Sequence, residues 1–306
     1  MGDSRRWHLI AVVVSAACFG TLAVLTPLAY ETGARPLPLL AWRFVIAAVL
    51  LAVVAQLKEP GSLRVPLGDV GRFSLLALTG YGAASVCFFF ALLYADAAVV
   101  AVLLYAYPAF VTVAGWLLLG EKPTAAKTGA VLATFAGCAL VVGLGSGEVK
   151  AQLPGVLLGL GAAVGYTLFN LLSHRWLPGR SRLTMMAYTF GIAAILPALG
   201  AVTADGVTAL STASWRLETW GLLVAIVLVP TFAAIVLYLE GIRGLGPSQA
   251  AVVSTLEPIF TIVLARLFLP EQAALTALQL VGVALVVGGV LVAEIGARAD
   301  VEPAAV

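Results

Sequence analysis

Charge is scarce in this chain: Asp, Glu, Lys and Arg make up 10% of its 306 residues, against 62% hydrophobic residues. With a mean hydropathy of +1.07, there is too little polar material to cover a water-facing surface, and a soluble domain is excluded. Cysteine is also rare. Cys18, Cys87 and Cys138 all fall inside apolar runs, where they act as small apolar residues, and their odd number offers no disulfide framework. Histidine is limited to His8 and His174, both near the edges of apolar runs. The chain lacks a His-Glu-x-x-His motif, a Gly-x-Ser-x-Gly motif and paired aspartates within a run, so no catalytic or metal centre and no cofactor is expected. The Gly143–Gly147 stretch has no preceding strand and no following Lys in the required place, which excludes a phosphate loop. A net charge of +2 makes no case for nucleic acid.

What the chain has instead is long apolar runs. Ten are legible, at approximately 8–30, 36–57, 72–94, 97–119, 126–145, 154–176, 184–203, 219–240, 247–269 and 274–295. Runs of about 20 residues match membrane-crossing helices, whereas barrel strands need only about 10. The first run follows Arg5 and Arg6 as a signal peptide would, but it is too long and has no small-residue cleavage pattern, so it reads as a retained helix. The expected fold is an all-α integral membrane protein with a lipid bilayer as its surroundings.

Lys and Arg placement sets the expected orientation. With the N-terminus inside, Arg5, Arg6, Lys58, Arg64, Arg72 and Lys122 fall on the cytoplasmic side, as do Lys127, Arg175, Arg180, Arg182, Arg243 and Arg298. Only Arg35, Lys150 and Arg216 fall outside, and Arg43 and Arg266 lie within runs. Both termini are therefore expected in the cytoplasm.

The runs form two related sets of five. At an offset of 146, Ala41, Phe44 and Ile46 meet Ala187, Phe190 and Ile192, and Thr21 and Leu22 meet Thr167 and Leu168. At an offset of 150, Tyr107-Pro108 meets Glu257-Pro258, and Glu121 meets Glu271. An odd number of spans per copy reverses the second copy in the membrane, so ten transmembrane helices are expected as two inverted five-helix repeats with both termini inside. The expected divisions are 1–145, a linker at 146–153, 154–296 and a cytoplasmic tail at 297–306.

Each repeat carries a proline in its fourth run, followed by a Gly-Glu or Pro-Glu pair: Pro108 then Gly120-Glu121, and Pro258 then Pro270-Glu271. In these motifs the chain resembles the drug/metabolite transporter superfamily, specifically its ten-helix EamA-type branch, across residues 8–295. The second copy has Pro270 where the family pattern has Gly. The resemblance implies a multi-pass bacterial inner-membrane carrier, usually an exporter of amino acids or other small metabolites. It also implies a cavity between helices 1–4 and 6–9, with helices 5 and 10 peripheral. The composition of runs 5 and 10, with Gly137, Gly282, Gly288 and Gly289, fits packing helices, as does the glycine spacing Gly155, Gly159, Gly161 and Gly165 in run 6.

Polar residues inside a span are costly and mark candidate sites. Arg43 lies about 10 Å into run 2; it lines a substrate or gating site, or it snorkels to the outer interface or pairs within the bundle. Glu257 lies about 15 Å into run 9 and shares a face with Ser254 and Thr261. It is a candidate for proton coupling, or a structural carboxylate meeting backbone freed by Pro258. Pro108 and Pro258 are candidate hinges, each removing a helical hydrogen bond, with static curvature as the alternative. Asn170, the one asparagine, marks either the cavity or a helix contact. Trp116, Tyr238 and His174 read as interfacial anchors.

This inventory suits a small zwitterion, with Arg43 for its carboxylate, Glu257 for its ammonium, and Tyr81, Tyr105 or Tyr166 beside its side chain. Polyanionic cargo would need more cations. Efflux of lipophilic compounds and a non-transporting scaffold are the alternatives, and proton coupling and facilitated diffusion both stay open.

Overall fold

A computed structural model describes residues 2–118, 124–143, 151–176, 179–245, 247–272 and 275–299. Glu121 with Gly120 and Lys122, linker residues 146–150, tail residues 300–306 and the side chain of His174 lie outside the described residues. All named elements are helical. The first run forms α1 (Gly2–Gly20) and α2 (Leu22–Glu31), and the second forms α3 (Pro36–Lys58), which starts on a proline whose missing N–H costs nothing there. The third comprises α4 (Leu67–Leu75), a π-helical turn (Leu76–Tyr81) and α5 (Gly82–Ala91). Then come α6 (Ala97–Leu104), α7 (Tyr107–Leu118) and α8 (Ala125–Val142). The Thr124 hydroxyl caps α8, and Gly143 ends it in the left-handed conformation that glycine adopts without strain.

In the second half, α9 (Leu153–Trp176) is unbroken, and α10 (Arg182–Ala193), capped by Ser181, continues into α11 (Ile195–Asp205). A short 3-10 turn (Val207–Leu210) precedes α12 (Leu217–Val227), a second π-helical turn (Leu228–Ala233) and α13 (Ala234–Leu245). The chain continues with α14 (Pro247–Ser254), α15 (Glu257–Phe268) and α16 (Ala277–Ala299). Among the described residues, eight helical stretches are long and apolar enough to cross a membrane, and Ala277–Val292 is a shorter apolar helix. The third stretch begins at Leu67, earlier than the expected 72, and the eighth spans Leu217–Leu245, beyond the expected 219–240 at both ends. Asp69 holds the early start of the third, because its carboxylate meets Arg72 and Arg180, each at 2.8 Å or less.

The interruptions recur between the halves. The gap between α6 and α7 falls 150 residues before the gap between α14 and α15, each immediately ahead of the Tyr107-Pro108 or Glu257-Pro258 pair. The two π-helical turns are related in the same way, with an offset of 152. The outer surface is apolar: Val45, Val49, Val53 and Leu57 recur every fourth residue on α3 and are all exposed, as a lipid-facing stripe would be.

Close packing at glycine joins the peripheral helices. A Cβ on Gly137 of α8 would lie 2.6 Å from the Gly282 carbonyl oxygen of α16, and one on Gly289 would lie 2.8 Å from the Ala130 oxygen. Buried Gln279 adds a hydrogen bond to the Val141 carbonyl at 2.9 Å. Gly288 differs from the expectation: nothing lies near it, so it is not a contact residue. On α9, Gly159 admits Leu103 and Gly165 admits the backbone of Ala84.

Candidate functional site

Both broken helices deliver their interrupted turns to one internal cavity of about 350 Å³. All six residues that polarity singled out, Arg43, Tyr81, Tyr105, Tyr166, Asn170 and Glu257, stand in its wall. They come from α3, the first π-helical turn, the α6–α7 gap, α9 and the start of α15.

Arg43 is 1% exposed, which excludes snorkelling to the interface. Its Nε donates to Thr231 Oγ1 at 2.8 Å, and Thr231 in turn donates to the Ile226 carbonyl, five residues back, within the second π-helical turn. The guanidinium carbon sits 5.4 Å from the Phe44 ring centroid and 5.3 Å from that of Phe89, a cation–π arrangement. The Tyr81 hydroxyl lies near the guanidinium. Nη1 is buried with no hydrogen-bond partner. A buried, unpartnered donor on a charged group is costly; because Nη1 is shielded from the cavity, an acceptor there reaches it only if the wall around Arg43 shifts.

At Glu257 the surroundings differ. Pro258 has no N–H, so the Ser254 carbonyl four residues earlier lacks its helical donor. The Tyr105 hydroxyl reaches that carbonyl at 2.7 Å and also lies 2.9 Å from Glu257 Oε2. The freed carbonyl is thus met by a phenol from another helix. Thr261, one turn along, donates to the Gly20 carbonyl where α1 ends.

A series of rings links the two poles. Tyr81 and Phe169 centroids lie 5.4 Å apart, Phe169 and Tyr166 5.9 Å, Tyr166 and Tyr107 4.8 Å, and Tyr107 and Tyr105 6.0 Å. Asn170 is turned back to its own helix, donating to the Tyr166 carbonyl at 2.8 Å, while still facing the cavity.

The cavity extends from the helix gaps toward the end of the bundle where α9 and α13 finish and α10 begins, since Ser173, Ile242, Arg182 and Met185 line it there. The opposite end is tied across. Tyr30 donates to the Phe89 carbonyl at 2.9 Å, Thr219 to Thr32 at 2.8 Å and Trp42 to the Leu210 carbonyl at 3.1 Å, and Arg35 pairs with Asp205.

Tyr238, Tyr107 and Arg182 are among the wall residues outside the sequence-derived set. Tyr238 reads from sequence as an interfacial anchor, but α13 extends past it to Leu245 and places it on the cavity. Tyr107 occupies the place in the first half that Glu257 holds in the second, a signal already present in the paired prolines. Arg182 is a second cation, at the mouth, in the first turn of α10. The Trp116 Nε1 is buried without a hydrogen-bond partner near the end of α7. Pro108 and Pro258 sit at the helix gaps as expected of bends.

A bundle of membrane-length helices around an internal cavity with an ionisable residue at each pole defines a multi-pass membrane protein with a buried site. The chain belongs to the EamA-like transporter family, whose model matches residues 6–143 and again 153–294. It is similar to a Bacillus subtilis (strain 168) protein described as "Uncharacterized transporter YcbK", with 29% identity over 285 residues, 89% of this chain and 88% of that protein. "Uncharacterized transporter YwfM" of the same organism is 27% identical, covering 93% of each chain. A solved structure described as "Crystal structure of protein" matches with a TM-score of 0.66 at 21% identity, covering 95% of this chain and 97% of that one. That likeness concerns the fold.

Proposed function

We propose that this membrane transporter exports small zwitterionic metabolites, of which amino acids are the simplest class, by alternating access across a bacterial inner membrane. In this reading ten helices form two inverted five-helix repeats, divided at 146–153, with both termini in the cytoplasm. The excess of Lys and Arg on the terminal side supports that orientation. The cavity then faces the cytoplasm in the conformation described, with the tied end outside.

One observation carries the proposal: a single cavity holds Arg43 with an unpartnered Nη1 and, at the far end of a series of aromatic rings, Glu257. Arg43 receives the carboxylate, Glu257 the ammonium, and Tyr81, Tyr105 and Tyr166 border the side chain, with Asn170 as a further polar contact. Pro108 and Pro258 act as the hinges, and Glu257 carries a coupling proton.

The reading is tested by profiling internal and external metabolites in cells overproducing wild type, Arg43→Ala or Glu257→Gln at matched membrane abundance. Release of an amino-acid-like solute by wild type alone supports it. Release by all three strains equally overturns the site. Release confined to uncharged lipophilic compounds favours the alternative efflux role, for which the ring-lined wall is the supporting feature.

A further inference from the structure

The Tyr105 hydroxyl has two acceptor-type neighbours and one proton. The Ser254 carbonyl oxygen can only accept, and at 2.7 Å it is the nearer. If the phenol donates there, the 2.9 Å contact with Glu257 Oε2 is satisfied only when the carboxyl itself supplies a hydrogen. The geometry therefore fits an acid-form Glu257 donating to Tyr105, which donates to Ser254. An ionised Glu257 is acceptor-only and takes the phenol's proton in a stronger, charge-assisted bond. The Ser254 carbonyl is then left without a partner, because Pro258 gives it no helical donor.

We propose that Tyr105 is a positioning residue that ties the protonation of Glu257 to the backbone of the α14–α15 gap. Loss of one proton from Glu257 to the cavity moves the phenol hydrogen from Ser254 to the carboxylate and releases the end of α14. The gap is closed in the acid form and freed in the ionised form. The device deepens the carrier reading by naming what the coupling proton moves, but its chemistry stands without any cargo.

The groups that share the cavity wall with Glu257 fit this role. Tyr107 comes from the α6–α7 gap, Tyr166 from α9, Tyr81 from the first π-helical turn and Tyr238 from α13, all neutral phenols at ordinary pH. The α1 and α2 helices, packed on α15, contribute Phe19, Leu22 and Ala23 to the wall, and Cys18 is not part of it. Arg43 and Arg182 are the cations in the described wall, and Glu257 is its carboxyl. Glu257 is thus the group whose charge changes. The first half has no equivalent, because Thr255, the counterpart of Tyr105, donates to Val252 within its own turn.

The test is hydrogen–deuterium exchange of residues 247–256 in the purified full chain across a pH series, corrected for intrinsic rates. No substrate is needed, so a negative result leaves the carrier reading standing, and a failed metabolite profile leaves this result standing. In wild type, exchange rises by about threefold or more through the titration, the low end of what one lost hydrogen bond produces. Glu257→Gln abolishes the rise. Tyr105→Phe keeps the ring and also abolishes it, while infrared spectroscopy still detects a titrating carboxyl. Pro258→Ala restores a backbone donor to Ser254 and suppresses the rise by an independent route. A rise that persists unchanged in Tyr105→Phe or in Pro258→Ala overturns the proposal.

Discussion

The two interrupted helices of this protein are built alike and equipped differently. In the first half, α6 ends at Leu104 and α7 resumes at Tyr107-Pro108; in the second, α14 ends at Ser254 and α15 resumes at Glu257-Pro258. Each proline removes the donor for a carbonyl four residues back, so both halves reach the same backbone shape for the same reason. The chemistry departs at the residue before the proline, a phenol in one half and a carboxyl in the other. The Tyr105 hydroxyl then crosses from the first gap to the second, while Thr255 stays within its own turn. Repeated architecture sets the bends, and one residue per bend sets what each can do.

The π-helical turns show the same division. Thr79 in the first turn is exposed and bonds only its own helix, at the Leu75 carbonyl. Thr231 in the second is fully buried, bonds the Ile226 carbonyl and receives Arg43 Nε.

The contrast can be broken outright by moving acidic character to the first bend. Tyr107→Asp adds a carboxyl where no phenol relay serves it, and a cost of about 2.5–3.5 kcal/mol is expected. Membrane abundance should fall sharply, as read by quantitative immunoblotting of membrane fractions. Next in size, Thr231→Val removes a buried partner of a charged group and should destabilise the fold by about 1.5–3 kcal/mol. Thr79→Val, at the equivalent place, should stay within about 0.5 kcal/mol; thermal unfolding in detergent compares the two.

The proline pair sharpens the comparison further. Pro108→Ala and Pro258→Ala should both slow transport, but only Pro258→Ala should flatten its pH profile, since the proposed proton relay acts on that gap alone. Smallest of all, Tyr107→Phe removes a hydroxyl from the cavity wall and should change transport rate by no more than about twofold. Tyr105→Phe should alter the pH profile instead.

Much of this was legible before any coordinates. Apolar length marks helices because hydrocarbon demands internal hydrogen bonding, and Pro108 and Pro258 mark gaps because a missing N–H acts locally. Arg43, Glu257 and Asn170 stood out through the cost of polarity inside a span, and that cost is why they gather on one cavity. The first π-helical turn is hidden in the sequence, since Leu76–Tyr81 carries no proline and its bonding shift depends on packing against neighbours, whereas the second contains Pro230, a local signal of an interruption. Tyr238 reads as interfacial because the apolar run stops near it, whereas α13 continues to Leu245 and carries it into the bundle. The Tyr105 relay was out of reach for a related reason: it joins residues 152 positions apart, and only packing brings them together.

The central claim, a carrier whose cavity binds zwitterions between Arg43 and Glu257, is tested most directly in proteoliposomes loaded with a mixture of unlabelled amino acids, with release followed by mass spectrometry. The account predicts release well above protein-free vesicles for one or more amino acids, reduced about tenfold or more in Arg43→Ala, the loss expected from one charge-assisted contact of at least ~1.4 kcal/mol. Release indistinguishable from protein-free vesicles, or undiminished in Arg43→Ala, would contradict it.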